Sequence, residues 1–389
     1  MSKQLSKKII HAITIVSLFG VAISSMAMLS LELTQGTRSR LPIAIVSLEG
    51  EQALSADRQT SRIVMDDLNH SGEFSVFSGA QLPEQPQALE DIHVSRWHGF
   101  SPQYIVFGKV HPVGVDQYTV EASLVNLYRG QEGDKLPPSA VIFKKSYTVN
   151  EQQLRRVAHQ MSDDVYSSLL GVSGVFSSKI AYILVQPGKT PTQPNYHLVV
   201  ADYDGYNPRF AANSNQPMMS PAWSPDGHQI AFVSFQKTLP AIFIVDIRTG
   251  ILQQVTALAG INGAPAWSPD GKNLAFVSSQ TGAAKLYVID LASRQVSRLT
   301  DGLSIDTEPH YMPDGRSLVF TSNRGGGPQI YQYTFATKRV ERLTYVGDYN
   351  ASANISPDGK WMTLLHRDKN GFNVAVQNLM TDQFKLLNP

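Results

Sequence analysis

The chain has 389 residues, enough for two domains, and its formal net charge of +1 gives no electrostatic reason to expect a nucleic-acid partner. It contains no cysteine, which excludes disulfides, thiol catalysis and cysteine-ligated metals and leaves the redox compartment undecided. We expect neither a cofactor nor a metal.

Residues 1–27 have the features of a secretory signal peptide. Three lysines among the first eight residues precede a mainly apolar stretch, and Ser25-Met26-Ala27 offers small residues for cleavage. An uncleaved membrane anchor is the alternative, since roughly 20 apolar residues can span a bilayer. We expect cleavage near Ala27, because the stretch is only mildly hydrophobic. Both alternatives place the rest of the chain outside the cytoplasm.

A short segment, residues 28–40, comes next. Leu29, Leu31 and Leu33 alternate with Ser30 and Glu32, which is the period of a β-strand. Such a segment is either an ordinary edge strand or a peptide that adds to the sheet of a partner. The residues alone favour the edge strand.

Residues 41–170 predict an α/β domain. Apolar or alternating runs predict strands at 43–46, 74–77, 104–110, 118–125 and 141–149. Amphipathic spacing predicts a helix at 58–68 and a second helix that begins at Asn150 and ends at Gly171. On the second helix, His159 follows Arg155 by four residues, which predicts a solvated face rather than a charge relay.

From residue 171 the chain repeats. Pro-Asp-Gly begins at positions 225, 269, 313 and 357, so each step is 44 residues, and Trp223 and Trp267 precede the first two copies. The motif is turn chemistry: Pro presets φ, Asp bonds its own backbone and Gly accepts a positive φ. With the short apolar runs around it, each period holds four strands, the length of one propeller blade. The sequence therefore predicts a β-propeller over 171–389, with five repeats that start at Lys179.

Two patterns in the repeats invite a chemical interpretation. The aspartates could belong to metal-binding loops, but each stands alone in its own blade, which favours a turn. The repeated Trp and Tyr residues could stack on a sugar or a base, but their fixed period favours packing between blades.

A serine hydrolase is a further alternative, because similar propellers precede peptidase domains. Gly171-Val172-Ser173-Gly174-Val175 lacks the last glycine of a nucleophile elbow and is better explained as a helix-ending turn. We therefore expect no enzymatic activity. A hydrolase remnant, a peptide- or glycan-binding propeller and a small-molecule sensor stay open as alternatives.

One end of the propeller carries loops that differ among repeats, at 259–263, 304–308 and 347–350. Diverse loops on a rigid ring are typical of a recognition surface, and ordinary solvent loops are the alternative.

Several motifs resemble the TolB family of periplasmic propeller proteins of the Tol-Pal system. They are Asp202-Tyr203-Asp204-Gly205-Tyr206-Asn207, residues 217–227, Asn262-Gly263-Ala264-Pro265-Ala266, and Thr307-Glu308-Pro309. The resemblance extends over nearly the whole chain. It implies a monomeric, non-enzymatic scaffold that reaches the membrane only through partners and supports outer-membrane integrity and constriction during division.

The resemblance also implies partners and contact residues. The propeller would bind the peptidoglycan-associated lipoprotein Pal through Asn262, Ala264, Thr307 and Glu308, with further contacts at Met219 and Asn350. The segment with Leu29, Leu31 and Leu33 would bind TolA. Propellers of this family have six blades, so five repeats imply a truncated chain, closure with five blades or a partner in the gap.

Overall fold

The computed structural model describes residues 40–130, 133–188, 194–237, 239–256 and 258–387. The predicted signal peptide, residues 1–27, and the leucines Leu29, Leu31 and Leu33 lie outside the described residues. The chain divides into two units, one ending at Glu151 and one running Gln152–Pro389. The domain bounds given from the sequence, 41–170 and 171–389, stay predictions. Across the described part of the chain, every helix is too short or too polar to span a bilayer.

The first unit is built on one mixed sheet with the strand order β2-β1-β3-β4-β5. The strands are β1 (Leu41–Ile45), β2 (Phe74–Ser78), β3 (Tyr104–Gly114), β4 (Gln117–Asn126) and β5 (Val141–Asn150). β1 runs parallel to both of its neighbours, whereas β3, β4 and β5 form an antiparallel meander. Helix α1 (Thr60–His70) packs on β2, and α2 (Val94–Trp97) places Trp97 in a core with Ile92 and Ile105. The predicted α/β character is confirmed.

Helix α3 (Leu154–Leu170) opens the second unit. It begins four residues later than predicted, because residues Glu151–Gln153 first form a 3-10 turn. Gly171 ends it in the left-handed conformation, with φ of 72° and an N–H that donates to the Ser167 carbonyl at 3.0 Å. The prediction that His159 lies on a solvated face is wrong. The side chain is buried, and its ring meets the edge of the Tyr203 ring at 5.4 Å between centroids.

The segment after α3 is a turn, as predicted, and not a nucleophile elbow. The carboxylate of Asp163 accepts hydrogen bonds from the backbone N–H groups of Phe176 at 2.8 Å and Ser177 at 3.0 Å. A Cβ added at Gly174 would lie 2.2 Å from the Asp163 carboxylate, so only glycine fits there.

Five sheets follow as the blades of a β-propeller, which confirms the predicted fold class and the five repeats. Blade 1 has three described strands: β6 (Lys179–Gln186), β7 (Asn195–Asp202) and β8 (Arg209–Ser214). The other blades have four strands each. Blade 2 contains β9 (Met218–Trp223), β10 (Gln229–Ser234), β11 (Ala241–Asp246) and β12 (Leu252–Gln254). Blade 3 contains β13 (Asn262–Trp267), β14 (Asn273–Ser278), β15 (Lys285–Asp290) and β16 (Val296–Arg298).

Blades 4 and 5 repeat the same plan. Blade 4 contains β17 (Asp306–Tyr311), β18 (Ser317–Ser322), β19 (Gln329–Thr334) and β20 (Arg339–Arg342). Blade 5 contains β21 (Tyr349–Ile355), β22 (Trp361–Asp368), β23 (Gly371–Asn378) and β24 (Phe384–Leu387). Within each of these blades all pairings are antiparallel, and the first strands of neighbouring blades, β9, β13, β17 and β21, lie side by side as the inner strands.

Aromatic packing joins the blades, as the period predicted. The indole N–H of Trp267 donates to the Ala222 carbonyl of the preceding blade at 3.0 Å, and the ring packs among core residues of blades 2 and 3. Inside the blades, the pairs Phe232–Phe243 and Phe276–Tyr287 stack with ring centroids 6.1 and 5.7 Å apart.

The repeated aspartates stabilise turns, which confirms that prediction. Asp270 accepts hydrogen bonds from the Ser268 hydroxyl at 2.6 Å and the Lys272 N–H at 3.1 Å. These bonds favour the ionised carboxylate and lower the pKa of Asp270. Asp226 and Asp358 make the same contacts in blades 2 and 5.

Candidate functional site

The candidate site is the end of the propeller at which the inner strands begin, here called the mouth. It consists of the loops that enter β13, β17 and β21 and of the loops that join the second and third strands of each blade. The Pro-Asp-Gly turns lie at the opposite end, here called the base. All the predicted Pal-binding residues lie at the mouth ends of inner strands, so the fold brings them together.

The inner strands β9, β13, β17 and β21 each carry a β-bulge near the mouth, at the third residue of the first three strands and the fourth residue of β21. Ser220, Ala264, Glu308 and Ser352 have φ values of 53°, 47°, 53° and 55°, and the strand pairing shifts register there. A positive φ is uncommon for residues other than glycine and persists only where the surroundings enforce it. Its recurrence at every 44-residue step makes the bulge a fixed feature of these blades. Bulges redirect side chains, so Ala264 and Glu308 occupy equivalent, specially oriented positions.

Glu308 connects blade 4 to blade 5. Its Oε2 accepts hydrogen bonds from the Ser352 N–H at 2.9 Å and the Thr321 hydroxyl at 2.7 Å. Its Oε1 accepts one from the Ser352 hydroxyl at 2.7 Å. Thr307, which is half-buried, pairs with Thr321 across the sheet. The Glu308 carboxylate is therefore held in one orientation at the mouth.

Asn262 and Asn350 lie below the surface of the mouth. Both are buried, and each is the first or second residue of its inner strand. The Asn262 amide donates to the Leu258 carbonyl at 2.8 Å and to the Pro240 carbonyl of blade 2 at 3.2 Å. The Asn350 amide donates to the Gln329 side chain of blade 4 at 2.9 Å. These side chains fix the loops of the mouth and connect neighbouring blades.

Sequence reasoning missed the residue at the same position in blade 4. Asp306 lies 44 residues from both Asn262 and Asn350 and forms a fully buried ion pair with Lys285 of blade 3, at 3.0 Å. Arg324 also reaches it at 2.9 Å, and the Ser322 hydroxyl at 2.6 Å. Burial alone would raise the pKa of Asp306, but these hydrogen bonds outweigh it and the pKa is lowered. The 44-residue step itself was the signal that could have identified Asp306.

The loops above these links expose apolar side chains. They are Ile261 before β13, Leu303 and Ile305 before β17, and Tyr345 and Val346 before β21; Leu303 is 97% exposed. Met219 is exposed too, whereas Ala264 is half-buried. The Arg342 guanidinium lies over the Tyr345 ring at 5.0 Å. Exposed apolar side chains from consecutive loops are typical of a protein-binding surface.

Nothing among the described residues suggests a metal centre: no group of three or more His, Asp or Glu residues there is placed to hold an ion. The acidic groups of the mouth instead engage protein donors.

Both parts of the chain match models of known families. The TolB beta propeller domain matches residues 166–389, and the TolB amino-terminal domain matches residues 29–133. The Tol-Pal system protein TolB of Coxiella burnetii is 43% identical over 237 residues, which cover 61% of this chain and 52% of that protein. The Nitrosococcus oceani protein of the same name is 38% identical over 241 residues, 62% of this chain and 53% of its own. The chain thus spans about half the length of the curated relatives it matches.

A solved structure agrees. The crystal structure of TolB from Acinetobacter baumannii superimposes with a TM-score of 0.80 at 37% identity, and the match covers 90% of this chain and 84% of that chain. The similarity includes both the α/β region and the propeller blades.

Proposed function

This chain belongs to the TolB family, and from that premise we propose that it is a non-enzymatic component of the Tol-Pal system in the periplasm. Matches to both family models and the printed names of the relatives support the proposal. Export would depend on the signal peptide at residues 1–27. The hydrolase alternative is not carried forward, because the Gly171–Val175 segment is a helix-ending turn.

The mouth of the propeller binds Pal in this proposal. The observation that carries it is the combination of exposed apolar loops with strand ends that are fixed by links between blades. Thr307, Glu308, Met219 and Ala264 would line the contact. Asn262 and Asn350, being buried, would act by holding the loops in their binding shape, which lowers the ordering cost of association.

The segment with Leu29, Leu31 and Leu33 binds TolA in the same proposal. Its alternating pattern fits a strand that adds to the sheet of a partner. A monomer with two binding regions would bridge these partners, maintain outer-membrane integrity and support constriction during division.

A matched pair of surface substitutions tests the mouth. Ile261 at the mouth is 62% exposed and Ile251 at the base is 67% exposed, so Ile→Ser should affect folding equally little at both. Calorimetric titration against the soluble domain of Pal should show binding weakened about tenfold by Ile261→Ser and unchanged by Ile251→Ser, since interface anchors contribute on the order of 1–2 kcal/mol each. Equal effects of the two substitutions, or no heat from a folded wild-type chain, would contradict the proposal.

A deletion tests the second partner. Removal of residues 28–33 should abolish binding to the soluble domain of TolA and leave the circular-dichroism spectrum unchanged. Undiminished TolA binding by the deleted chain would assign that contact to another surface.

A further inference from the structure

A cleft of about 430 Å³ opens between blades 3 and 4 at the base, away from the mouth. Its rim is formed by the turns of the two blades, with Ser268 and Asp270 on one side and Asp314 on the other. The two turns lie close together, since a Cβ added at Gly315 would be 3.8 Å from Pro269. The volume falls within the range of small-ligand sites, about 300–1,000 Å³.

Blade 4 has a smaller aromatic residue than blades 2 and 3 at the position next to the cleft. At the junctions before it, Trp223 and Trp267 occupy the position that Tyr311 holds here, each 44 residues from the next. Trp267 fills its junction and bonds the preceding blade, as described above. Tyr311 has a smaller ring, which stacks on Phe335 with centroids 5.8 Å apart and forms one wall of the cleft.

The charge of the cleft is negative. Asp270 and Asp314 contribute carboxylates, and none of the described lining residues carries a positive charge. Hydrogen bonds from Ser268 and the Lys272 N–H keep the pKa of Asp270 low, so this carboxylate is ionised at neutral pH. Burial, followed by the charge of Asp270, raises the pKa of Tyr311, so its hydroxyl keeps its proton and can donate a hydrogen bond.

We propose that this cleft binds the guanidinium group of an arginine side chain presented by a peptide. A planar guanidinium matches the three features together: it pairs with carboxylates through several donors, it stacks on aromatic rings, and it is weakly hydrated. The two carboxylates, Asp270 and Asp314, would by themselves attract any cation. The aromatic rings of Tyr311 and Phe335 favour a planar organic cation. The cleft lies at the base, so it can be occupied while the mouth is engaged.

The full chain can be titrated with acetyl-arginine-amide and, in parallel, with acetyl-citrulline-amide, which has nearly the same shape and no charge. Binding followed by nuclear magnetic resonance should appear for arginine with a dissociation constant on the order of 1 mM and be at least tenfold weaker for citrulline. Asp270→Asn, which keeps the acceptor that the turn needs, should weaken arginine binding about fivefold, the effect of losing one solvated ion pair.

Two variants make the test specific. Asp226→Asn changes the equivalent turn of blade 2, next to the filled junction, and should leave arginine binding unchanged. Tyr311→Trp installs the residue that blades 2 and 3 have at this position and should close the cleft and abolish binding while the circular-dichroism spectrum stays native. Equal binding of citrulline, equal effects at Asp226 and Asp270, or full binding by Tyr311→Trp would overturn the proposal. Binding of methyl glucoside in place of arginine would assign the cleft to sugars and overturn it too.

Discussion

The buried pair Asp306–Lys285 makes Asp306→Asn the most informative single substitution in the propeller. Both side chains are fully buried, and among the described residues the Lys285 ammonium has one other hydrogen-bonding partner, Ser304, through its carbonyl and, at 3.1 Å, its hydroxyl. Asparagine has nearly the same shape as aspartate and occurs at the equivalent positions 262 and 350. The substitution therefore keeps the shape of the side chain, removes its charge and replaces one accepting oxygen by an NH2 donor.

The loss of stability on each substitution depends on which charged partner the remaining buried side chain keeps. After Asp306→Asn, Lys285 is a buried cation without a counter-charge, which costs about 3–5 kcal/mol. After Lys285→Gln, Asp306 still has the partly exposed Arg324 at 2.9 Å, so the loss should be only about half as large. The double substitution copies the Gln329–Asn350 pair of the next junction, whose side chains lie 2.9 Å apart. It should come within about 1 kcal/mol of the wild type, since a satisfied neutral pair replaces a buried ion pair.

Urea unfolding followed by tryptophan fluorescence and circular dichroism measures these free energies. A loss of about 4 kcal/mol should also lower the midpoint of thermal unfolding by about 10 °C in a unit of this size. Two outcomes would refute the reasoning. One is a loss under 1 kcal/mol for Asp306→Asn, which would mean that water reaches Lys285. The other is strict additivity of the two single substitutions, which would mean that the pair does not act as a unit.

Three further predictions concern pH, a close approach and a hydroxyl. Because the folded pKa of Asp306 is lowered, its contribution to stability is complete above its unfolded pKa of about 4 and is lost as the pH falls through its folded pKa. The advantage of wild type over Asp306→Asn should thus shrink between urea titrations at about pH 6 and about pH 3. Gly174→Ala should destabilise the chain by about 1–3 kcal/mol through its clash with Asp163, whereas Ser173→Ala next to it should change stability by less than about 0.5 kcal/mol. Thr300→Val should lose about 1–2 kcal/mol in the same assay, because its hydroxyl accepts a buried backbone N–H of β15 at 3.1 Å and valine cannot.

Local chemistry explains why the blades could be predicted from the sequence. The conformation of Pro-Asp-Gly turns and of short apolar strands is determined by the residues themselves. The fixed step of 44 residues then identifies equivalent positions in each blade without knowledge of their contacts. The role of Trp267 followed from the same step. The α/β region was predicted with nearly the right strands because most of them, such as β1 and β4, contain apolar residues that are buried in the core.

Contacts between blades explain what could not be predicted. From its own strand, Lys285 would be predicted to lie on the surface, as most lysines do. Its buried position depends on the carboxylate of Asp306, which belongs to the next blade. The positive φ of Ala264 and Glu308 has no local signal, since neither residue type favours that conformation. His159 follows a polar pattern on α3 and is nevertheless covered by Tyr203. Asn262 and Asn350 were identified as site residues, but their burial depends on loops of adjacent repeats.

The contacts between blades at the mouth also affect whether similar repeats pack in the correct order. At the position of Asp306 the four junctions use four chemistries: apolar Met218, Asn262 bonded to a carbonyl, the Asp306–Lys285 ion pair, and Asn350 bonded to Gln329. A blade docked on the wrong neighbour would bury Lys285 without a carboxylate or Asp306 without its ammonium, at a cost of several kcal/mol. Repeat proteins are prone to such exchanges during folding. The ion pair between blades 3 and 4 thus disfavours incorrect docking of either blade, and the differing side chains at this position help to distinguish one junction from the next.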